Sequence, residues 1–153
     1  MESNVFEKWN NMIDAESIKL QLMEFENKEI EYDPIPFGTY DVRIENMDLK
    51  TSKKGDPMFF CQFKILEGEY KNYNLFMNQV VLVAFQIHIV NDFLRRLDTL
   101  HQVSFDGNYE HYHDLIKRIL VSIDTDKLEY KLSYEQSKKG YTMFIIKEVY
   151  EPE

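Results

Sequence analysis

The chain has a single cysteine, Cys61, in 153 residues, so no disulfide forms within it and no zinc cluster is built from its thiols. A reducing compartment fits that scarcity. Glycine is nearly as sparse: five residues, none grouped as a phosphate-cradling loop, a Walker motif or a nucleophile elbow. The longest apolar run, Val80 to Phe85, falls far short of the roughly 20 residues that cross a bilayer, and no membrane partner is expected. Met-Glu-Ser-Asn at the N-terminus lacks the basic and apolar regions of a secretory signal, which predicts a cytoplasmic location.

Bases are also short: 18 Lys and Arg face 27 Asp and Glu, for a formal charge of −9. Phosphate contact depends on Lys and Arg, so a nucleic-acid role requires that they be gathered locally. The distribution allows it. Residues 1–33 hold nine acids and three bases, residues 34–80 hold six of each, and residues 81–153 hold twelve acids and nine bases. The acid is concentrated at one end and the centre is neutral. With 44% hydrophobic and 29% charged residues, the composition is that of a globular protein, and the length predicts a single domain.

Val5, Phe6, Trp9, Met12 and Ile13 follow helical spacing, and Ile18, Leu22 and Phe25 continue it after Asp14 and Ser17, two potential N-caps. One broken helix or two short ones is expected over 5–25, within an acidic segment 1–33 that packs on the rest of the chain, since an exposed stripe of that size invites aggregation. Glu24 to Asp33 then lead to Pro34 and Pro36, which stop a helix and set an extended entry.

From Gly38 the period changes to two. Tyr40, Val42 and Ile44 alternate with Asp41 and Arg43, and Met47 and Leu49 resume one residue out of phase, as a β-bulge allows. Strands are predicted over 39–50, 58–66 and 73–82, a helix over 84–100, a second short helix over 109–118, then strands at 119–123, 128–134 and 141–150. Three strands, a helical connection and two or three further strands is the order of an OB-fold, a partly open five-stranded barrel. The expected class is therefore α+β, mostly β: an OB-fold-like domain over 34–153 with an N-terminal helical segment and a helical insertion between strands three and four.

Within this pattern one sequence occurs twice. Ser52-Lys53-Lys54-Gly55 and Ser137-Lys138-Lys139-Gly140 stand at the turn between strands one and two and at the turn before the last strand. Those are the two loops that flank an OB cleft, and four lysines framing one groove are expected to contact phosphates. Stacking on bases needs exposed rings as well. Most of the ten Tyr and eleven Phe belong to the core, but alternation puts Phe60 with Gln62 and Lys64 on the more polar face of its strand. Tyr134 and Tyr141 flank the second lysine turn, and Arg43 lies on the polar face of strand one. The predicted nucleic-acid site is Arg43, Lys53, Lys54, Phe60, Lys64, Tyr134, Lys138, Lys139 and Tyr141.

Several stretches carry a resemblance: Phe6-Glu7-Lys8-Trp9, Pro36 to Val42, the Ser52 turn with Pro57-Met58, Phe63 to Tyr70, Phe76 to Gln79, Asn91 to Leu94, and Lys139 to Val149. At these residues the chain closely resembles a phage family catalogued as a domain of unknown function, whose members lie near recombinase genes and are regarded as single-stranded DNA-binding proteins. The resemblance implies a phage protein in the host cytoplasm that coats single strands during replication or recombination. A phage recombinase or another replication protein is the implied partner, and the oligomeric state stays open. In place of the long acidic tail usual in bacterial single-strand binders, the chain has only Glu148 to Glu153.

Catalysis and metal binding find no seat. His111 and His113 are two apart in a helical pattern, where their side chains diverge. Cys61 falls on the core face between Phe59 and Phe63, and neither a cofactor nor an enzymatic activity is predicted. The competing reading is an acidic protein-interaction module, or a DNA-mimicking inhibitor of a host protein, in which the −9 charge is the active feature.

Overall fold

The computed structural model describes residues 5–22 and 35–152. The chain divides into two units, Met1–Pro36 and Phe37–Glu153. In the first, α1 spans Val5–Asn11 and a second helix, α2, runs over 15–22. Asp14 separates them: its carboxylate accepts from the Ser17 amide at 3.2 Å, an N-cap contact that starts α2 as the sequence predicts. Phe6 and Trp9 meet edge to face with centroids 5.5 Å apart. Phe25, the acidic stretch Glu24 to Asp33 and Pro34 lie outside the described residues.

The second unit is an α+β domain. Its elements are β1 (Gly38–Thr51), β2 (Pro57–Ile65), β3 (Asn74–Val80), α3 (Ala84–Arg95), α4 (Tyr109–Asp126), β4 (Glu129–Gln136) and β5 (Thr142–Tyr150). The five strands form one antiparallel sheet in the order β3-β2-β1-β4-β5. The sheet is not closed into the OB-type barrel expected from the element order. Among the described residues no pairing joins β3 to β5, and the sheet keeps two free edges.

β1 organises the sheet because it pairs on both sides. Val42 to Thr51 pair with β2, Gly38 to Val42 pair with β4, and the register shifts between Ile44 and Asn46, where the sequence places its bulge. The bulge keeps both halves of β1 amphipathic: Val42 and Ile44 before it and Met47 after it are buried. β2 alternates as read, with Phe59, Cys61, Phe63 and Ile65 fully buried. Burying each of the two phenylalanines contributes about 1.5–3 kcal/mol relative to leaving it in water.

Both helices between β3 and β4 differ from expectation in length. The helix predicted over 84–100 ends at Arg95, because Asp98 and Leu100 adopt left-handed φ values of 56° and 65° that no helix continues through. The short helix predicted near 109–118 instead runs to Asp126 and absorbs Ile119–Ile123, which the sequence assigned to a strand. Ile119, Val121 and Ile123 alternate as a strand would. They also extend the helical stripe Tyr112, Leu115 and Ile116, and Ile119 and Ile123 are buried with it while Val121 is exposed. Asn108 caps the start by accepting from the Glu110 and His111 amides, and Lys127 ends the helix in the left-handed region.

α4 packs on β1, whose pairing with β4 stops at Val42. Lys117 Nζ donates to the Met47 carbonyl at 2.8 Å, so a helix side chain serves a backbone acceptor in the stretch that β4 leaves uncovered.

Candidate nucleic-acid interface

The repeated Ser-Lys-Lys-Gly sequence folds the same way twice. In the first turn the Ser52 amide donates to Asp56 O, the Gly55 amide to Ser52 O, and the Asp56 amide to Ser52 Oγ. The Ser137 amide donates to Tyr141 O, the Gly140 amide to Ser137 O, and the Tyr141 amide to Ser137 Oγ. Gly55 and Gly140 hold φ values of 89° and 88°, a conformation that disfavours any side chain, and the lysines between are exposed.

The two turns stand at opposite ends of β1. Ser52–Asp56 follows the Thr51 end of β1, whereas Ser137–Gly140 follows the end of β4 that pairs with Gly38, at the opposite end of the same 14-residue strand. Of the four lysines expected to line one cleft, Lys138 and Lys139 line the groove described below. The geometry follows from antiparallel pairing: β1 meets β2 at its far end and β4 at its near end.

Two surfaces result. One is the solvent-facing side of β1, β2 and β3. There Phe60 stacks on Phe76 with centroids 6.0 Å apart and planes 29° from parallel, and Lys50 Nζ lies 3.7 Å from the Phe60 centroid. Phe76 is 49% exposed. Gln62 and Lys64 continue the face along β2, Asn74 and Asn78 flank Phe76 on β3, and the Ser52 turn extends it beyond Lys50. Two of its acids are engaged: Glu45 with Arg43 at 2.9 Å, and Asp48 with Lys117 at 3.6 Å and His113 at 3.1 Å. Arg43 lies on this face, paired with Glu45. No ion pair involves Lys50, Lys53, Lys54 or Lys64 among the described residues.

The other surface is a groove of about 1260 Å³ between the free edges of β3 and β5, with α3 alongside. Tyr134, Lys138, Lys139 and Tyr141 line it together with Phe76, Met77, Phe93 and Phe144. Tyr141 is 68% exposed, whereas Tyr134 packs between Phe37 at 4.7 Å and Phe144 at 5.4 Å. The predicted site residues thus fall into two groups: Phe60 and Lys64 with the first turn, and Tyr134 and Tyr141 with the second.

Phe76 and Lys50 were not singled out from the sequence, although both left a signal. Phe76 sits between Asn74 and Asn78 in a strand whose alternate residues, Leu75 and Met77, are buried, and that alternation marks it as outward-facing. Lys50 joins the face of Phe60 once the bulge has switched the phase of β1.

The other chemical groups behave as their positions dictate. His111 hydrogen-bonds Asp106 and His113 hydrogen-bonds Asp48, so the two imidazoles diverge. Among the described residues no group of three His, Cys, Asp or Glu side chains is placed to hold a metal ion. Burial pushes the Cys61 thiol well above its usual range. No described helix is long and apolar enough to cross a membrane. No curated protein matches the chain. A family model described as a protein of unknown function (DUF669) matches residues 23–146, the greater part of the chain, and to that family the protein belongs.

Proposed function

We propose that the protein binds single-stranded DNA on the outer face of β1, β2 and β3. The observation that carries this reading is the Phe60–Phe76 stack with Lys50 over Phe60, a part-exposed aromatic platform bordered by lysines, with the nearby Glu45 and Asp48 already paired. Bases stack on such rings regardless of sequence, and the lysines meet the phosphates. The strand order supports it: β3-β2-β1-β4-β5 with helices between β3 and β4 is the order of an OB barrel opened between its third and fifth strands. In that fold the second and third strands carry oligonucleotides. The resemblance to phage single-strand binders supplies the setting, which is coating of single strands during replication or recombination beside a recombinase or other replication protein.

The test is fluorescence anisotropy of labelled oligo-dT and of a duplex of equal length at two salt concentrations. Oligo-dT is expected to bind more tightly than the duplex, and Phe60→Ala and Phe76→Ala each to weaken it by about 1–3 kcal/mol. Parental affinity in both folded variants removes the site from this face.

A further inference from the structure

The groove between β3 and β5 is bounded by two strand edges, and the pairing fixes what they present. β3 is antiparallel to β2 and β2 to β1, while β5 is antiparallel to β4 and β4 to β1, so β3 and β5 run in the same direction. The Val81 amide donates to Pro57 O and the Ile65 amide to Tyr73 O, which turns the odd-numbered backbone groups of this ladder toward β2. Those of Phe76 and Asn78 therefore point into the groove. On the far side the Ser137 amide donates to Tyr141 O, which by the same alternation turns the amides and carbonyls of Thr142 and Phe144 toward the groove. At the end of β3 the protein meets its own need: Gln79 Nε2 donates to Val80 O at 3.0 Å.

We propose that this seam docks an extended acidic segment of a partner protein, which lies antiparallel to both β3 and β5 and closes the open sheet into a six-stranded barrel. One polypeptide strand meets both edges, because its backbone alternates donors and acceptors at the same spacing on its two sides. A DNA backbone carries acceptors without donors and leaves the seam carbonyls unmatched. Leu75–Gln79 and Thr142–Ile145 line the groove, so the docked stretch is five or six residues, about 17–20 Å. Its alternate side chains meet Met77, Phe93 and Phe144, which are buried or half-buried, and the rest face the exposed Lys138 and Lys139. Apolar residues alternating with Asp or Glu satisfy both sides. The inference does not rest on the strand-binding reading, although the two share β3: Phe76 and Asn78 belong to the outer face by their side chains and to the seam by their backbone edge.

The probe is a capped, fluorescein-labelled hexapeptide of alternating valine and glutamate, titrated with the full chain by anisotropy. Saturable binding is expected, at least tenfold weaker for the valine–lysine peptide and for peptides N-methylated at alternate amides. Asn78→Pro removes a seam-facing amide without removing a bond to β2, and is expected to weaken the peptide at least tenfold with an unchanged circular dichroism spectrum. If that variant does not fold, the N-methylated peptides on the parent protein decide alone. Equal binding of N-methylated and unmodified peptides overturns the proposal. So does a parent dimer in sedimentation that Asn78→Pro converts to monomer, which makes a second copy the occupant. Absence of saturable peptide binding to the parent protein overturns it too, whatever Asn78→Pro does to oligo-dT binding, since Asn78 also stands on the outer face.

Discussion

Lys50 Nζ reaches 3.7 Å from the centre of the Phe60 ring across the β1–β2 ladder, from a position diagonal to it, since Phe60 itself stands opposite Asp48. A cation held over a ring stabilises both, and a base arriving on Phe60 finds a phosphate partner already beside it. Phe60→Leu, which keeps the apolar packing and removes the π-face, is expected to weaken oligo-dT by about 1–3 kcal/mol with no change in salt slope. Lys50→Ala is expected to lower that slope by about 0.7, the value of one phosphate contact on a single strand. Anisotropy at four salt concentrations measures both.

The two lysine turns share a hydrogen-bond pattern and differ in place, so their variants should separate. Replacing Lys53 and Lys54 together by alanine is expected to flatten the oligo-dT salt slope by up to about 1.4, because that turn continues the face of Lys50. The same change at Lys138 and Lys139 is expected to leave the slope where it was. Equal flattening by both pairs would return all four lysines to one binding path.

Tyr130 is fully buried, and its hydroxyl donates to Leu97 O at 2.9 Å. Burial raises its pKa far above the phenol range, so it stays a neutral donor. Tyr130→Phe leaves the Leu97 carbonyl without its partner and is expected to cost about 1–3 kcal/mol in urea unfolding. Tyr109→Phe removes a similar bond to Val81 O at 2.8 Å from a half-buried site, where water replaces it, and about 0.5–1.5 kcal/mol is expected.

At the start of α4 the His111 ring sits 2.7 Å from the Asp106 carboxylate. That hydrogen bond raises the imidazole pKa above 6.5 and lowers the carboxyl below 3.8. The contribution of the pair to stability is fully present between those two ordinary values. It is lost as pH rises through the raised His111 value, and lost as pH falls through the lowered Asp106 value. NMR titration of the His111 ring is expected to give a midpoint above 6.5 that falls in Asp106→Asn. An unchanged midpoint in that variant contradicts the pairing.

Local pattern carried most of the fold. Strand limits in the sequence lie within two residues of those observed, the bulge after Ile44 was legible from a phase change, and Asp14 marked the break between α1 and α2. Where reading failed, tertiary context decided. Ile119 to Ile123 suit either period, and only the buried stripe begun by Tyr112 and Leu115 settles them as helix. Whether β3 and β5 pair is invisible to alternation, because an edge strand and a central strand of the same face read alike. For the same reason Phe60 was legible and the separation of the lysine turns was not: the first depends on one strand, the second on how far β4 overlaps β1.

Lys117 reaching the Met47 carbonyl gives α4 a second part beyond packing. From Arg43 to Thr51, β1 has a strand neighbour on one side only, and α4 packs on the strand, tied to it at Met47 and Asp48. Departure of α4 without global unfolding therefore uncovers a strand edge ready to pair with another molecule. Amide hydrogens of β1 beyond the bulge should exchange in step with those of α4, and a variant that loosens the helix, such as Ile116→Ala, should aggregate at denaturant concentrations where β2 is still protected.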